Sequence, residues 1–429
     1  MIMKRNIIIG LAFILSSCLS EEKNLFQESA ALRLNHAIEN TKQILISPSN
    51  NNGWVMEYFP NNYTEGYTFL MSFNSNAFAT IAARNKYTPV YTTDESAFDI
   101  IGDNGPVLTF NTYNKVFHLF SDPKDPKGGS ELDGIGLLGD YEFIVMNITN
   151  DLLTLKGKKR ATEIIMYPLA KGQDWKTYFD NLDDLKKELF DNRITLRLNK
   201  NDKALFNLLN STTGIFGKVS VDAEDDTDLE NLPFITTDYG IRLSQQLKID
   251  EEIKLQAFKL NGERNKLVAE EDKSYTISSP QPGEFIASSK LTFLAEKPEI
   301  SGMNDLFERV ATGMISSFNV NYELYAIGFG KNDNNPALAL RTKNGITAMF
   351  NIPMTINGNK VKIEPFDAEN ITNTEMDNNA RVFYERVPVI KELLKFVQGE
   401  YMVETSTPFT LRVIKYTKTD GSLMLNVSR

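Results

Sequence analysis

Between Gly53 and about Tyr167 the chain runs through short β-rich segments, WVMEYF, YTFLMSF, AFATIAA, AFDII, PVLTF, KVFHLF, YEFIVMN, LLTLKG and EIIMY, and no stretch of helical period interrupts them. Asn74-Ser75-Asn76, Asp103-Asn104-Gly105 and Asn147 to Asp151 separate them as short connections do between neighbouring antiparallel strands. Parallel strands require crossovers long enough to hold a helix, and none is present. The region is therefore expected to be an antiparallel meander or barrel, and the chain mainly β (α+β).

Helical periods lie on either side of this region. In NLFQESAALRLNHAIENTKQIL the apolar residues Phe26, Ala30, Leu34, Ala37, Ile38 and Leu45 recur at three- and four-residue steps, giving one buried stripe with His36 inside it. In DWKTYFDNLDDLKKELFDN, Trp175, Tyr178, Phe179, Leu182, Leu185 and Leu189 share a face, and this second helix marks a boundary. Strand-like runs then resume as ITLRL, GKVSV, GIRLS, IKLQAFKL and KLTFLA. Two further helices are expected: MNDLFERVATGMISSF, with Leu306, Phe307, Val310, Met314 and Phe318 aligned, and a stretch near RVPVIKELLKFVQG, with Pro388 at its start and Gly399 past its end.

About 410 residues would remain after removal of a leader, more than one core usually holds. The division expected is a leader over 1–17, a tether and helix over 18–50, a β-rich domain over 51–192, and a β-rich domain with packing helices over 193–429, as one unit or two subdomains. Two pairs of segments look alike. GPVLTFNTYNKVFHLF and GITAMFNIPMTINGNKVKIEPF share a glycine, a strand, a polar pair and another strand; YEFIVMNITNDLLTLKGKK and IKLQAFKLNGERNKLVAEE both look like hairpins. Internal duplication and chance similarity of period-two strands both account for this.

The N-terminus, MIMKRNIIIGLAFILSSC, has the parts of an export signal. Lys4 and Arg5 precede an apolar run from Ile7 to Leu15, shorter than the roughly 20 residues a spanning helix needs. Leu15-Ser16-Ser17-Cys18 resembles a bacterial lipobox, in which cleavage before the cysteine is followed by acylation of its thiol. Cys18 is the only cysteine, so no internal disulfide forms. The expectation is a lipid anchor on Cys18 with the membrane as partner. The acidic stretch from Leu19 to Lys23 resembles a signal for display on the cell surface. Loss of Lys4 and Arg5 takes the formal net charge from −10 to −12, which disfavours nucleic acid as a partner. The basic knot KGKKR, from Lys156 to Arg160, follows an apolar alternation and fits a solvated strand end.

Chemistry-bearing motifs are scarce. Two histidines, His36 and His118, serve the whole chain, and no His-Glu-x-x-His pattern, G-x-S-x-G elbow or phosphate-binding G-x-x-x-x-G-K-[ST] loop occurs. His118 falls in KVFHLF, where a strand would point Val116, His118 and Phe120 to one face; a structural role is expected of both histidines. The acidic run VDAEDDTDLEN offers Asp222, Glu224, Asp225, Asp226, Asp228 and Glu230. Asp222, Glu224, Asp226 and Asp228 are a calcium candidate, though the run lacks the EF-hand glycine and terminal glutamate, and a solvated acidic loop accounts for it equally. Carboxylate pairs for glycoside hydrolysis are always available among 56 acidic residues, and only geometry selects one. Trp54, Tyr58, Phe59, Tyr63 and Tyr67 could offer flat faces to a sugar or peptide, but alternation puts Trp54, Met56 and Tyr58 on one face, the pattern of a core.

Gly134, Gly136 and Gly139 match the spacing G-x-G-x-x-G. A dinucleotide site would need a strand before the first glycine and a helix at the third. The turn-rich SDPKDPKGGSELD precedes them and the β-rich YEFIVMN follows, so they are expected to connect into a strand. No cofactor is expected.

FQESAALRLNHAIENTKQILISPSNNNGWVMEYFP, GYTFLMSFN, GPVLTFNTYNKVFHLFSDP, GDYEFIVMN and LTLKGKK, in this order behind a lipobox, resemble the DUF4302 family of Bacteroidetes lipoproteins over roughly Phe26 to Trp175. The resemblance implies an outer-membrane lipoprotein encoded near starch-utilisation-type transporter pairs and a zinc-metallopeptidase-like protein, and it implies no activity. Gly53, Trp54, Gly105, Asn111, Tyr113, Asn114, His118, Asp140, Tyr141 and Glu142 stand at its motif positions, and of these Trp54, Tyr113, Asn114, His118, Asp140, Tyr141 and Glu142 are the binding candidates. The leading expectation is a non-catalytic accessory that binds a ligand or partner for nutrient uptake, with an outer-membrane transporter complex as a partner. A carboxylate-dependent hydrolase and a structural or adhesive surface protein are the alternatives.

Overall fold

The structure, a computed structural model, describes residues 28–46, 52–191, 194–209, 213–221, 229–288 and 292–428, the side chains of residues 287 and 288 excepted. Cys18, Phe26 and Asp222, Glu224, Asp225, Asp226 and Asp228 of the acidic run lie outside the described residues.

The meander closes on itself. Strands β1 (Trp54–Tyr58), β2 (Tyr67–Phe73), β3 (Phe78–Asn85), β4 (Thr88–Gly102), β5 (Pro106–Phe110), β6 (Glu142–Ile148), β7 (Leu153–Gly157) and β8 (Glu163–Pro168) form an antiparallel barrel. Its seam pairs β8 with β1, Trp54 opposite Pro168 and Glu57 opposite Ile165. Trp54, Met56 and Tyr58 enter the interior, while Val55 joins Leu70 and Ala82 on the outer face, so β1 is buried on both sides.

The first helix, α1 (Ala30–Leu45), is capped by Ser29, whose side chain accepts from the Leu32 amide, and lies against β4 and β5. Leu45 reaches the barrel core, and its carbonyl accepts from Trp54 Nε1 at 3.1 Å. The expectation for His36 is corrected: its side chain is 63% exposed and sits 3.3 Å from a Glu28 carboxylate oxygen. At 3.6 residues per turn, a position two after Leu34 and two before Ile38 faces away from the stripe that they define.

Helix α2 (Trp175–Phe190), capped by Asp174, serves two barrels with one apolar stripe. Tyr178, Phe179 and Leu182 cover Val55, Leu70 and Ala82 on the first barrel, and Arg84 ties the helix down through Asp180 and Asp183 at 2.6 and 2.7 Å. Leu185, Leu189 and Phe190 belong to the core of a second barrel. That barrel is β9 (Leu196–Lys200), β10 (Lys203–Leu209), β11 (Ile215–Ser220), β12 (Glu230–Thr237), β13 (Gly240–Lys248), β14 (Lys254–Leu260), β15 (Leu267–Ala269) and β16 (Tyr275–Ser278), closed by β16 on β9.

The barrels meet at a buried ion pair. Arg242 of β13 donates through Nε to Glu57 of β1, the side chains being 2% and 1% exposed. Tyr239 Oη donates to the other Glu57 oxygen at 2.9 Å, and the Arg242 guanidinium lies 5.1 Å from the Phe59 ring centre. Gly66 leaves no room for a side chain against Ile235 and Phe59, and its amide donates to the Phe234 carbonyl.

The rest of the chain is a ten-stranded sheet: β17 (Phe293–Glu296), β18 (Ile300–Ser301), β19 (Leu324–Asn332), β20 (Asn335–Thr342), β21 (Thr347–Asn351), β22 (Met354–Asn357), β23 (Lys360–Ile363), β24 (Gly399–Thr405), β25 (Val413–Lys418) and β26 (Met424–Ser428). Its order runs β21-β20-β19-β17-β26-β25-β24-β23-β22, with β18 beside β26. The two end strands are joined only by Ile352 and Pro353, a link that spans roughly 10 Å at most, so the sheet is rolled until its edges nearly meet. Ile352 still donates to Pro336 in β20, and the Pro353 carbonyl already accepts from Glu364 beside β23.

Helices α4 (Asn304–Ser317), α5 (Asn378–Arg386) and α6 (Ile390–Phe396) contribute Phe307, Val310, Met314, Phe383, Ile390 and Leu393 to this core. The two expected helices are α4 and α6, with Pro388 before α6 and Gly399 after it. The nine-residue α5 and the short α3 (Pro282–Ser288) are additional. Phe409, between β24 and β25, inserts into the second barrel's core, while Leu411 two residues on belongs to the sheet's own.

Of the look-alike segments, the hairpins occupy equivalent places: β6–β7 and β14–β15 are the sixth and seventh strands of their barrels. The other pair diverges, since PVLTF leads into a helical turn and ITAMF into the β22–β23 hairpin.

Candidate functional site

The connection from Asn111 to Tyr141 is far longer than the 2–5 residues of an ordinary hairpin. It folds over the end of the first barrel where β1, β3 and β5 finish, and Asn114 starts the fold. Asn114 Oδ1 accepts from the amides of Val116 and Phe117 at 3.1 and 3.2 Å, and its carbonyl accepts from His118 N at 2.8 Å. KVFHLF is therefore not a strand, and His118–Phe120 form a 3₁₀ turn. Capping by Asn114 gives the backbone local partners in place of a ladder, so the apolar residues fall at helical spacing. Val116, Phe117 and Phe120 all turn inward, each no more than 1% exposed.

Phe117 and Phe120 plug the barrel. Phe117 meets Phe69, Phe110 and Tyr58 with ring centres 5.1, 5.1 and 5.4 Å apart, and Phe120 meets Tyr67 at 4.7 Å. Together with Trp54, Phe73, Phe98 and Phe143 they fill the interior with side chains. The other end is covered by Leu45 and Trp54, so the binding candidate Trp54 is a core residue away from the loop end. Tyr58 and Tyr67 are also core, and only Tyr63 of the aromatic stretch is broadly exposed.

His118 lies between two tyrosines, its ring centre 5.5 Å from that of Tyr113 and 5.4 Å from that of Tyr141, at tilts of 31° and 37°. His118 Nδ1 accepts from the Asn114 amide at 3.0 Å, which puts the proton of the neutral ring on Nε2, and the ring also bonds the backbone of Phe110. Burial lowers its pKa below the ordinary imidazole value, the two backbone bonds opposing. This is the structural histidine expected from the sequence. Tyr113 is different: it is 63% exposed, with one ring face against His118 and the rest open to solvent.

Asp140 is buried at 3% exposure, and its carboxylate accepts from the amides of Arg160 at 2.8 Å and Lys159 at 3.2 Å. Burial raises its pKa above the ordinary carboxyl range, with the two amides pulling the other way. Its carbonyl accepts from Tyr58 Oη at 3.0 Å. Asp140 thus shapes the turn that follows β7, and the basic knot is a strand end and turn. Tyr141 is half-buried with Lys159 Nζ 5.9 Å from its ring centre, and Glu142 sits 3.8 Å from Lys158. Gly134 and Gly136 hold φ of 86° and 59°; a Cβ on Gly136 would come 1.9 Å from the Asp122 carbonyl oxygen, so the glycines let the loop lie on itself before β6 begins.

The structure therefore brings Tyr113, Asn114, His118 and Tyr141 together, places Asp140 and Glu142 beside them, and leaves Trp54 elsewhere. Next to Tyr113 opens a cleft of about 440 Å³ lined by Tyr87, Thr88, Thr92, Tyr113, Lys115, Val116, Leu119, Asp122, Lys124, Asp125 and Pro126. Sequence reasoning missed Tyr87, Lys115, Asp122, Lys124 and Asp125; the last four had one signal, proximity to Tyr113 in a loop of unusual length, and Tyr87, in the β3–β4 turn, had none. Asp122 Oδ1 accepts from Lys124 N at 3.0 Å and Asp125 Oδ1 from Lys127 N at 2.8 Å. Among the described residues no carboxylate pairs with the ammonium groups of Lys115 and Lys124.

A larger cleft, about 600 Å³, lies beside α2, but several of its polar groups already serve the fold. Glu188 takes Arg264, Asp238 accepts from Tyr167 Oη at 2.8 Å, and Tyr239 donates to Glu57. Among the described residues no group of three or more His, Cys, Asp or Glu converges as a metal site, and no helix is long and apolar enough to cross a membrane. Glu230, the described end of the acidic run, pairs with Lys218 at 2.6 Å.

The family model described as "Domain of unknown function (DUF4302)" matches residues 22–262, from before α1 to just past β14. No curated protein matches. Among solved structures, japanin from Rhipicephalus appendiculatus bound to cholesterol is 13% identical over 31% of this chain and 88% of that one, with a TM-score of 0.17. A transferrin binding protein B double mutant from Haemophilus parasuis is 11% identical over 87% and 73%, with a TM-score of 0.15. The isotype 1 transferrin binding protein B of serogroup B Neisseria meningitidis is 8% identical over 87% and 74%, with a TM-score of 0.14. Likenesses this distant transfer nothing to the present chain.

Proposed function

The chain belongs to the DUF4302 family, whose description assigns no activity, and from that premise we propose that it is a lipid-anchored, non-catalytic binding protein of the outer membrane. In this reading the loop end of the first barrel presents a ligand or partner site that serves nutrient uptake. One observation carries it. The barrel interior is filled by the chain's own Phe117 and Phe120, yet the loop that supplies them holds Tyr113 outward beside an open cleft of about 440 Å³. Clefts of this size with a few convergent polar groups are where small ligands bind.

What supports the anchor is the lipobox ending in Cys18, and what supports the setting is the gene neighbourhood implied by the sequence resemblance. Screening the full-length chain against glycan and peptide panels tests the binding reading. Wild type is expected to retain a ligand that Tyr113→Ala loses, with unfolding midpoints matched; a variant that binds the whole panel like wild type contradicts the site. For the anchor, Cys18→Ala is expected to move the protein from the membrane fraction to the soluble fraction. Unchanged membrane partition would contradict it.

A further inference from the structure

We infer that the cleft beside Tyr113 takes a neutral carbohydrate chain, an inference that rests on the binding reading above and specifies its ligand class. The lining selects by elimination. Lys115 and Lys124 are balanced by Asp122 and Asp125, so a polyanion gains no net attraction. The barrel is closed, so a peptide finds no free strand edge to extend. Polar and charged side chains make up most of the lining, which disfavours a lipid chain.

A sugar fits what is left. Its hydroxyl groups both donate and accept, matching carboxylate oxygens that only accept and ammonium groups that only donate. Its ring carries an apolar C–H face that needs a flat partner, and Tyr113 offers one at 63% exposure. His118 backs that ring at 5.5 Å, so the platform is held in place before ligand arrives and less conformational freedom is lost on binding.

The test is calorimetric titration of the full-length chain with neutral hexasaccharides of glucose, mannose, xylose and N-acetylglucosamine, uronic-acid hexasaccharides, and a decapeptide pool. The expected result is binding of a neutral hexasaccharide, weakened about tenfold or more by Tyr113→Ala, as an exposed aromatic anchor requires. Asp122→Asn and Lys124→Met should each weaken it severalfold, and Tyr325→Ala, in the rolled sheet, should not. Affinity should also persist in about 1 M salt, where the Debye length is about 3 Å. A uronate or peptide bound through Tyr113 instead would overturn the carbohydrate assignment and leave the binding reading standing. Absence of any ligand sensitive to Tyr113→Ala would overturn both.

Discussion

His118 is structural, the role expected of it from the sequence. Its Nδ1 is committed to the Asn114 amide and its ring to two tyrosine faces, so the neutral form is the one the fold stabilises. Because the folded pKa is lowered, this stabilisation is complete above the ordinary imidazole value of 6.5 and is lost as pH falls through that value toward the lower native one. Urea unfolding of wild type and His118→Gln should therefore differ most near neutral pH, and the gap should narrow by about pH 5. A constant gap would show that protonation of His118 is not coupled to folding. At Asn114 the prediction is larger: Asn114→Ala removes the acceptor for two buried amides and should destabilise the chain by about 1–3 kcal/mol in the same assay.

At the scale of elements, the loop 111–141 acts as part of the barrel core. Phe117→Ala or Phe120→Ala leaves a void among packed rings and should each destabilise by about 3–5 kcal/mol, read as a fall in melting temperature. A change near zero would mean that the turn does not plug the barrel. Much of this was legible in the sequence. Short β-rich runs such as WVMEYF, with turn residues between them and no helical period, identified antiparallel strands, even though β1 is buried on both faces. KVFHLF was misread because six mostly apolar residues satisfy both a strand and a tight helical turn. The deciding bonds come from Asn114, whose side chain competes with the ladder. Helix α5 escaped notice since only Ala380 and Phe383 of its nine residues are buried, too few to display a stripe, whereas the shorter α6 buries Ile390, Leu393 and Leu394. The site was legible only in part: Tyr113, His118 and Tyr141 were singled out through the family resemblance, whereas nothing in periodicity said that Tyr87, from the β3–β4 turn, would meet them.

Across the whole molecule, a few buried side chains add to the shared helix α2 in joining the units. Phe409 fastens the rolled sheet to the second barrel, and Glu57 with Arg242 fastens the second barrel to the first. A buried pair contributes little relative to well-packed apolar residues, but removing one partner strands the other. Glu57→Ala should destabilise by about 3–5 kcal/mol, while Glu57→Leu combined with Arg242→Met should recover most of that loss, a difference that a double-mutant cycle measures. Recovery well short of this would mean that the pair orders the junction beyond its electrostatics. Glu188, Asp238 and Tyr239 of the α2 cleft are committed to partners within the fold, whereas Tyr113 at the loop end is exposed, so the proposed ligand site is the loop end. Amide hydrogen exchange on the full-length chain, with and without a ligand found by the panels, tests this most directly. The predicted result is protection confined to residues 85–92 and 111–126; protection over residues 173–188 and 238–264 instead, or none anywhere, would contradict it.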